Sequence, residues 1–261
     1  MREHYLKKVN VLGIDVAVIR PEKAVNVSME LMRRRGLETV FFLSAESSLY
    51  CQNHPWASEF VQSCRMVLTG DRHIEMAAAH DQEVPDSSNG IGEFADEYLK
   101  RLLTKLNREH REIYAVMRQE DYLASLKDYI ADSYPSIEFN GIVFADETDG
   151  ESDKVVNEIN ANIPDILFLC LPVEQQLMFI KEYSSMMNTG LCICIESIQP
   201  MIRKETEEIP RWISVLHLEG LYRWMKKEEK VRKTIVASIF KNKILNDGNS
   251  EQDSENPIEK H

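Results

Sequence analysis

The stretch from Glu158 to Ile180, EINANIPDILFLCLPVEQQLMFI, constrains the fold of this chain more than any other. Its centre, Asp165 to Leu171, is an apolar run bounded by Pro164 and Pro172. Such a run is short for a helix, and it lacks the polar alternation of a strand with one wet face, so it reads as a strand buried on both sides. A helix follows, with Gln175 and Gln176 at its start. A strand, a loop and a helix N-terminus in succession form the place where α/β proteins hold phosphate-bearing ligands, because the first-turn N–H groups point outward there.

The same alternation runs through the chain. Strands are expected over Val9 to Val18, Thr39 to Leu43, Arg65 to Leu68, Glu112 to Met117, Ile137 to Phe144, Asp165 to Leu171 and Leu191 to Glu196. Helices are expected over Pro21 to Arg35, Ser47 to Gln62, Phe94 to Glu109, Asp121 to Ser133, Ser152 to Asn162 and Val173 to Asn188. Apolar strands alternating with helices predict an α/β, Rossmann-like fold with a mostly parallel sheet covered on both faces. His80 to Gly92, HDQEVPDSSNGIG, reads as a loop serving either as a lid or as a mobile surface segment. Three divisions are expected: an α/β domain over residues 1–208, a basic amphipathic helical appendage over 209–245 and a disordered acidic tail over 246–261.

Charge and cysteine usage exclude several classes. The net charge of −12 argues against general nucleic-acid binding. It is unevenly spread: Arg211 to Lys243 carries nine Lys and Arg against three Glu, a local +6 that leaves −18 elsewhere. A basic amphipathic segment of this kind either lies on an anionic membrane surface or docks on its own domain with solvated lysines. No apolar run approaches the roughly 20 residues that span a bilayer. The five cysteines lack partners at metal-ligand spacing, and Cys170, Cys192 and Cys194 sit in apolar runs as small reduced hydrophobes. A cytoplasmic protein is expected, without cofactor or metal and peripheral to the inner membrane face if the basic segment docks there.

Four segments together resemble the WecG/TagA/CpsF family of bacterial glycosyltransferases: VNVLGIDVAVIRPEKAV, ESSLYCQNHPWASEFVQSCRMVLTG, the Glu158 stretch and IPRWISVLHLEGLYRW. The last matches the family's aPrWmrrlGLEWlyRl pattern at Pro210, Trp212, Leu216, Leu218, Glu219, Leu221, Tyr222 and Arg223. The resemblance implies transfer of an N-acetylmannosamine-like sugar from a UDP donor to a lipid-linked acceptor, with the helical appendage contacting the membrane. It also implies site residues: Glu46 and Ser44 after the second strand, Gln176, and Arg118 or Arg223 as a diphosphate clamp, since guanidinium pairs bidentately with phosphate.

The departures from the family pattern fall where ligand is expected. Gly70 stands where the family has a catalytic aspartate, leaving Asp71 as the candidate base, with His73 and Glu75 behind it. Phe42 and Ser44 replace a threonine and an asparagine, Met117 and Arg118 replace a glycine pair, and Pro172 and Leu177 replace a glycine and a glutamate. Glu196 and Glu208 add negative charge that opposes a diphosphate. Two functions stay open: a working transferase with a rearranged site, or a catalytically inactive homologue serving as a binding or scaffolding subunit. Either could act as a homo-oligomer or beside a partner transferase.

Overall fold

The computed structural model describes residues 7–80, 94–144, 151–196 and 232–245. The chain divides into two compact units, Met1–Ile202 and Arg203–His261. The first unit holds a two-stranded hairpin and a six-stranded parallel sheet. Of the second unit, one helix over residues 232–245 is described.

The hairpin pairs β1 (Lys8–Val11) with β2 (Ile14–Ala17) in antiparallel register. The opening apolar run therefore does not form a single strand of the parallel sheet, as the sequence suggests. Leu12 and Gly13 both adopt positive φ, at 50° and 85°, which is the two-residue turn whose twist suits a hairpin. The Asn10 side-chain Oδ1 accepts the Gly13 N–H at 2.9 Å and fixes the turn. Leucine at the first turn position hides this reversal from pattern reading, because φ > 0 is costly for a residue with a Cβ.

The large sheet runs β4 (Met66–Thr69), β3 (Glu38–Leu43), β8 (Leu191–Cys194), β7 (Ile166–Cys170), β5 (Glu112–Met117) and β6 (Glu138–Val143), all neighbours parallel. Every residue of β4, β7 and β8 is buried, which explains their unbroken apolar sequence. One face packs against α1 (Pro21–Met32), α5 (Phe94–Arg108) and α6 (Glu120–Ser133). There Val25, Met29, Tyr98, Leu102 and Ile130 meet Val40, Phe42, Ala115, Phe168 and Ile193 in one cluster. Strand alternation turns Phe41, Leu43, Leu167, Leu169, Cys192 and Cys194 to the opposite face, where they are equally buried. Right-handed crossovers assign that face to α2 (Ala45–Asn53), α3 (Pro55–Ser63), α7 (Glu151–Asn162) and α8 (Val173–Tyr183), the last continued by a 3-10 turn, Ser184–Met186.

Two helical expectations are corrected. Ser47 to Gln62 is two helices, because Pro55 occupies the first position of α3 and holds His54 extended at φ −133° and ψ 91°. Residues 72–80, where sequence pattern predicts no element, form α4 (Arg72–His80). The sequence did carry its signal: Asp71 precedes the helix, and its Oδ1 accepts the His73 and Ile74 N–H groups at 2.9 and 3.0 Å.

All five cysteines are free, and only Cys64 is more than slightly exposed. Burial pushes the Cys51 thiol up to about 12 and raises those of Cys64 and Cys170. The Cys194 thiol is raised by its hydrogen bond with Cys192 and then by burial. Thiolate is the reactive form, so a thiol reagent at pH 8 should leave the native chain essentially unlabelled and count five thiols only in denaturant. Rapid labelling of Cys192 or Cys194 without denaturant would contradict this packing.

Candidate active site

The carboxyl ends of the parallel strands carry nearly every described polar residue singled out by the sequence. Along that edge stand Asp71 after β4, Ser44 after β3, Glu196 after β8, Pro172 after β7 and Arg118 after β5. The helices that follow β7 and β5 leave to opposite faces, so the strand order reverses between these two neighbours. Open α/β sheets hold ligands in the crevice at such a point.

On one side of that crevice, α8 begins with Pro172 as its N-cap, which makes no side-chain capping hydrogen bond. Proline has no side-chain acceptor to offer the first turn, so the positive end of the helix is not quenched by its own cap. Glu174 in that turn accepts a hydrogen bond from the Tyr50 hydroxyl of α2, which, after burial, is a further cause of that tyrosine's raised pKa. Across the crevice Arg118 is half-buried, its Nη1 donating to the Phe144 carbonyl at 3.5 Å.

Gln176 lies beneath this surface. It is 1% exposed and donates through Nε2 to the Leu169 carbonyl at 2.6 Å, so its side chain braces α8 against β7. Among the described residues its Oε1 has no hydrogen-bond partner, nor has Gln175 Oε1 or the buried Ser48 Oγ. A buried amide oxygen left unpaired costs roughly 1–3 kcal/mol, and it is the part of Gln176 with bonding capacity left for a ligand hydroxyl or N–H.

At the other end of the edge, three polar groups converge on the start of α2. Ser44 is its N-cap: its Oγ accepts the Ser47 N–H, and the Ser47 hydroxyl accepts the Ser44 N–H in return. Asp71 Oδ2 accepts the Ala45 N–H at 2.8 Å. Glu196 Oε1 receives a very short hydrogen bond from the Ser44 hydroxyl. Two carboxylates thus gather at the N-terminus of one helix, where the helix dipole favours negative charge. Asp71 holds both helix starts, α2 through Oδ2 and α4 through Oδ1.

Gly70 precedes Asp71 and has no room for a side chain. A Cβ there would sit 2.8 Å from the Leu43 carbonyl oxygen and 3.0 Å from the Leu43 and Phe42 carbonyl carbons. Phe42, in the column of the family threonine, turns into the core and not to the site. Glu46 is half-buried in the first turn of α2. Arg223 and nearly all of the 80–92 loop lie outside the described residues, as does most of Arg211 to Lys243. In sequence Glu196 reads only as a source of repulsion; its pairing with Ser44, 152 residues away, is visible only in the fold. Among the described residues no group of three or more His, Cys, Asp or Glu could hold a metal ion, and no helix is long and apolar enough to cross a membrane.

The model of the Glycosyl transferase WecG/TagA/CpsF family matches residues 9–247. No curated protein matches the chain significantly.

Proposed function

Since the chain belongs to the WecG/TagA/CpsF family of glycosyl transferases, we propose that it transfers an N-acetylmannosamine-like sugar from a UDP donor to a lipid-linked acceptor in cell-surface polysaccharide synthesis. The observation that carries this reading is the crevice between β7 and β5, with the N-terminus of α8 on one side and Arg118 on the other. A diphosphate there gains from the helix dipole and from a guanidinium. Gln176 supports the donor from below through its unpaired Oε1. Glu46 and Ser44 lie on the acceptor side, and Arg223 is a second candidate clamp.

The appendage at residues 209–245 is the proposed contact with an anionic membrane, followed by an acidic tail over 246–261. Within it, helix 232–245 carries Arg232, Lys233, Lys241 and Lys243 with no acidic residue, while Ile235, Ile239 and Leu245 are exposed. Basic residues near an anionic surface gain about 1 kcal/mol each, and exposed aliphatic side chains add burial in the interface.

One experiment addresses both halves. UDP titrated into the full chain should bind, and Arg118→Ala should weaken it about tenfold or more, the usual worth of a charge-assisted hydrogen bond. Binding to anionic vesicles should fall as salt rises and should disappear when residues 209–245 are deleted. Absence of any heat or melting shift at millimolar UDP would overturn the donor assignment. Vesicle binding indifferent to salt would overturn the membrane one.

A second reading has its own support. The Asp71 carboxylate is occupied as a double helix cap, and the Gly70 position excludes a side chain. If no other carboxylate takes that role, the chain serves as a binding or scaffolding subunit beside a partner transferase. It would bind vesicles and turn nothing over.

A further inference from the structure

We propose that Glu196, and not Asp71, is the carboxylate that takes the acceptor proton, an assignment that rests on the transferase reading above. A carboxylate offers about four lone-pair sites. Three of those on Asp71 are taken by the Ala45, His73 and Ile74 N–H groups, which fix both of its oxygens in capping geometry. Moving Asp71 to meet a substrate would uncap α4 and leave the Ala45 N–H at the start of α2 unpaired.

Glu196 is placed differently. It is half-buried at the carboxyl end of β8, and Ser44 donates its hydroxyl proton to Oε1. The Ser44 hydroxyl is itself oriented by the Ser47 N–H at 3.0 Å. Ser44 is therefore a positioning residue that sets the plane of the Glu196 carboxylate. The strand order supplies the spacing. With β8 beside β7, and the crevice between β7 and β5, the carboxyl end of β8 lies about one and a half strand separations from the crevice, roughly 7 Å, and the Glu196 side chain reaches from there to Ser44 at the end of β3. A gap of at least that size leaves room for a sugar ring between a diphosphate in the crevice and the base.

The step balances without a further reagent. The acceptor hydroxyl gives its proton to the Glu196 carboxylate, and its oxygen forms a bond to the anomeric carbon. The bond from that carbon to the diphosphate oxygen breaks, and the electron pair leaves with UDP.

The test uses the full chain with anionic vesicles carrying a short prenyl-diphosphate-linked sugar and a panel of UDP-N-acetylhexosamines. Glu196→Gln keeps an acceptor for the Ser44 hydroxyl, so it should fold. It should lower kcat by about 100-fold or more, the usual share of a general base. KM for the donor should stay within a few-fold. A pH limb of the parent's rate that belongs to the base should be lost. Asp71→Asn should lower the melting temperature and leave that pH limb in place. A Glu196→Gln enzyme with parental kcat and pH profile would overturn the assignment while the transferase reading stands. A parent chain that turns over no donor would overturn both.

Discussion

Phe42→Ala is expected to lower folding stability by about 3–5 kcal/mol, the usual cost of emptying a buried aromatic site. Phe42 is 2% exposed and meets Tyr98 edge to face, with ring centroids 5.1 Å apart. Tyr98 cannot follow into the void, because its hydroxyl is held 2.6 Å from Ser28 Oγ, which in turn donates to the Ala24 carbonyl. The cavity therefore stays open, between β3 and two helices that otherwise lock together. For a unit of this size 1 kcal/mol moves the melting temperature by roughly 2–4 °C, so calorimetry should show a fall of roughly 6–20 °C. Phe42→Thr should cost at least as much, because it adds a hydroxyl to an apolar site. A loss under about 1 kcal/mol in denaturant titration, with an unchanged slope, would mean that this face of the sheet is packed differently.

Gly70→Asp should destabilise the chain by about 1–3 kcal/mol or more and should not create a working catalytic aspartate. Overpacking a tight site costs this much when the neighbours cannot yield. Here the neighbours are backbone atoms of Phe42 and Leu43, and the Gly70 N–H already donates to the Leu43 carbonyl at 2.7 Å. A Cβ would push β3 and β4 apart at the point where Ser44 and Asp71 must meet the start of α2. Gly70→Ala separates the effects: it should carry most of the stability loss with no new charge. Full stability of Gly70→Asp together with a gain in turnover would show that this edge is far more pliant than its hydrogen bonds imply.

Sequence pattern carried most of the secondary structure. The two-sided apolar runs at 166–170 and 191–194 needed no tertiary information, since every position in them is buried. The failures have local causes. Pattern reading joined β1 to β2 because a leucine occupies a positive-φ turn position. It joined α2 to α3 because Pro55 is also acceptable as the first residue of a new helix. It passed over α4 because an aspartate that could serve as a base looks the same, in sequence, as one that caps a helix.

The candidate site was legible in location and not in wiring. Ser44, Asp71, Arg118 and Gln176 all fall at or just beneath the carboxyl edge of the sheet, as strand–loop–helix order requires. Their roles depended on which neighbours they met: Asp71 on two helix ends, Gln176 on a strand carbonyl, Ser44 on Glu196. Periodicity along the chain decides which way a residue faces, so it determined the alternating layers and the buried strands, while the family was legible in the motif residues. It says nothing of which strand ends lie side by side. That follows from the order β4-β3-β8-β7-β5-β6, set when separate helices pack the two faces, and only this order brings residue 196 to residue 44.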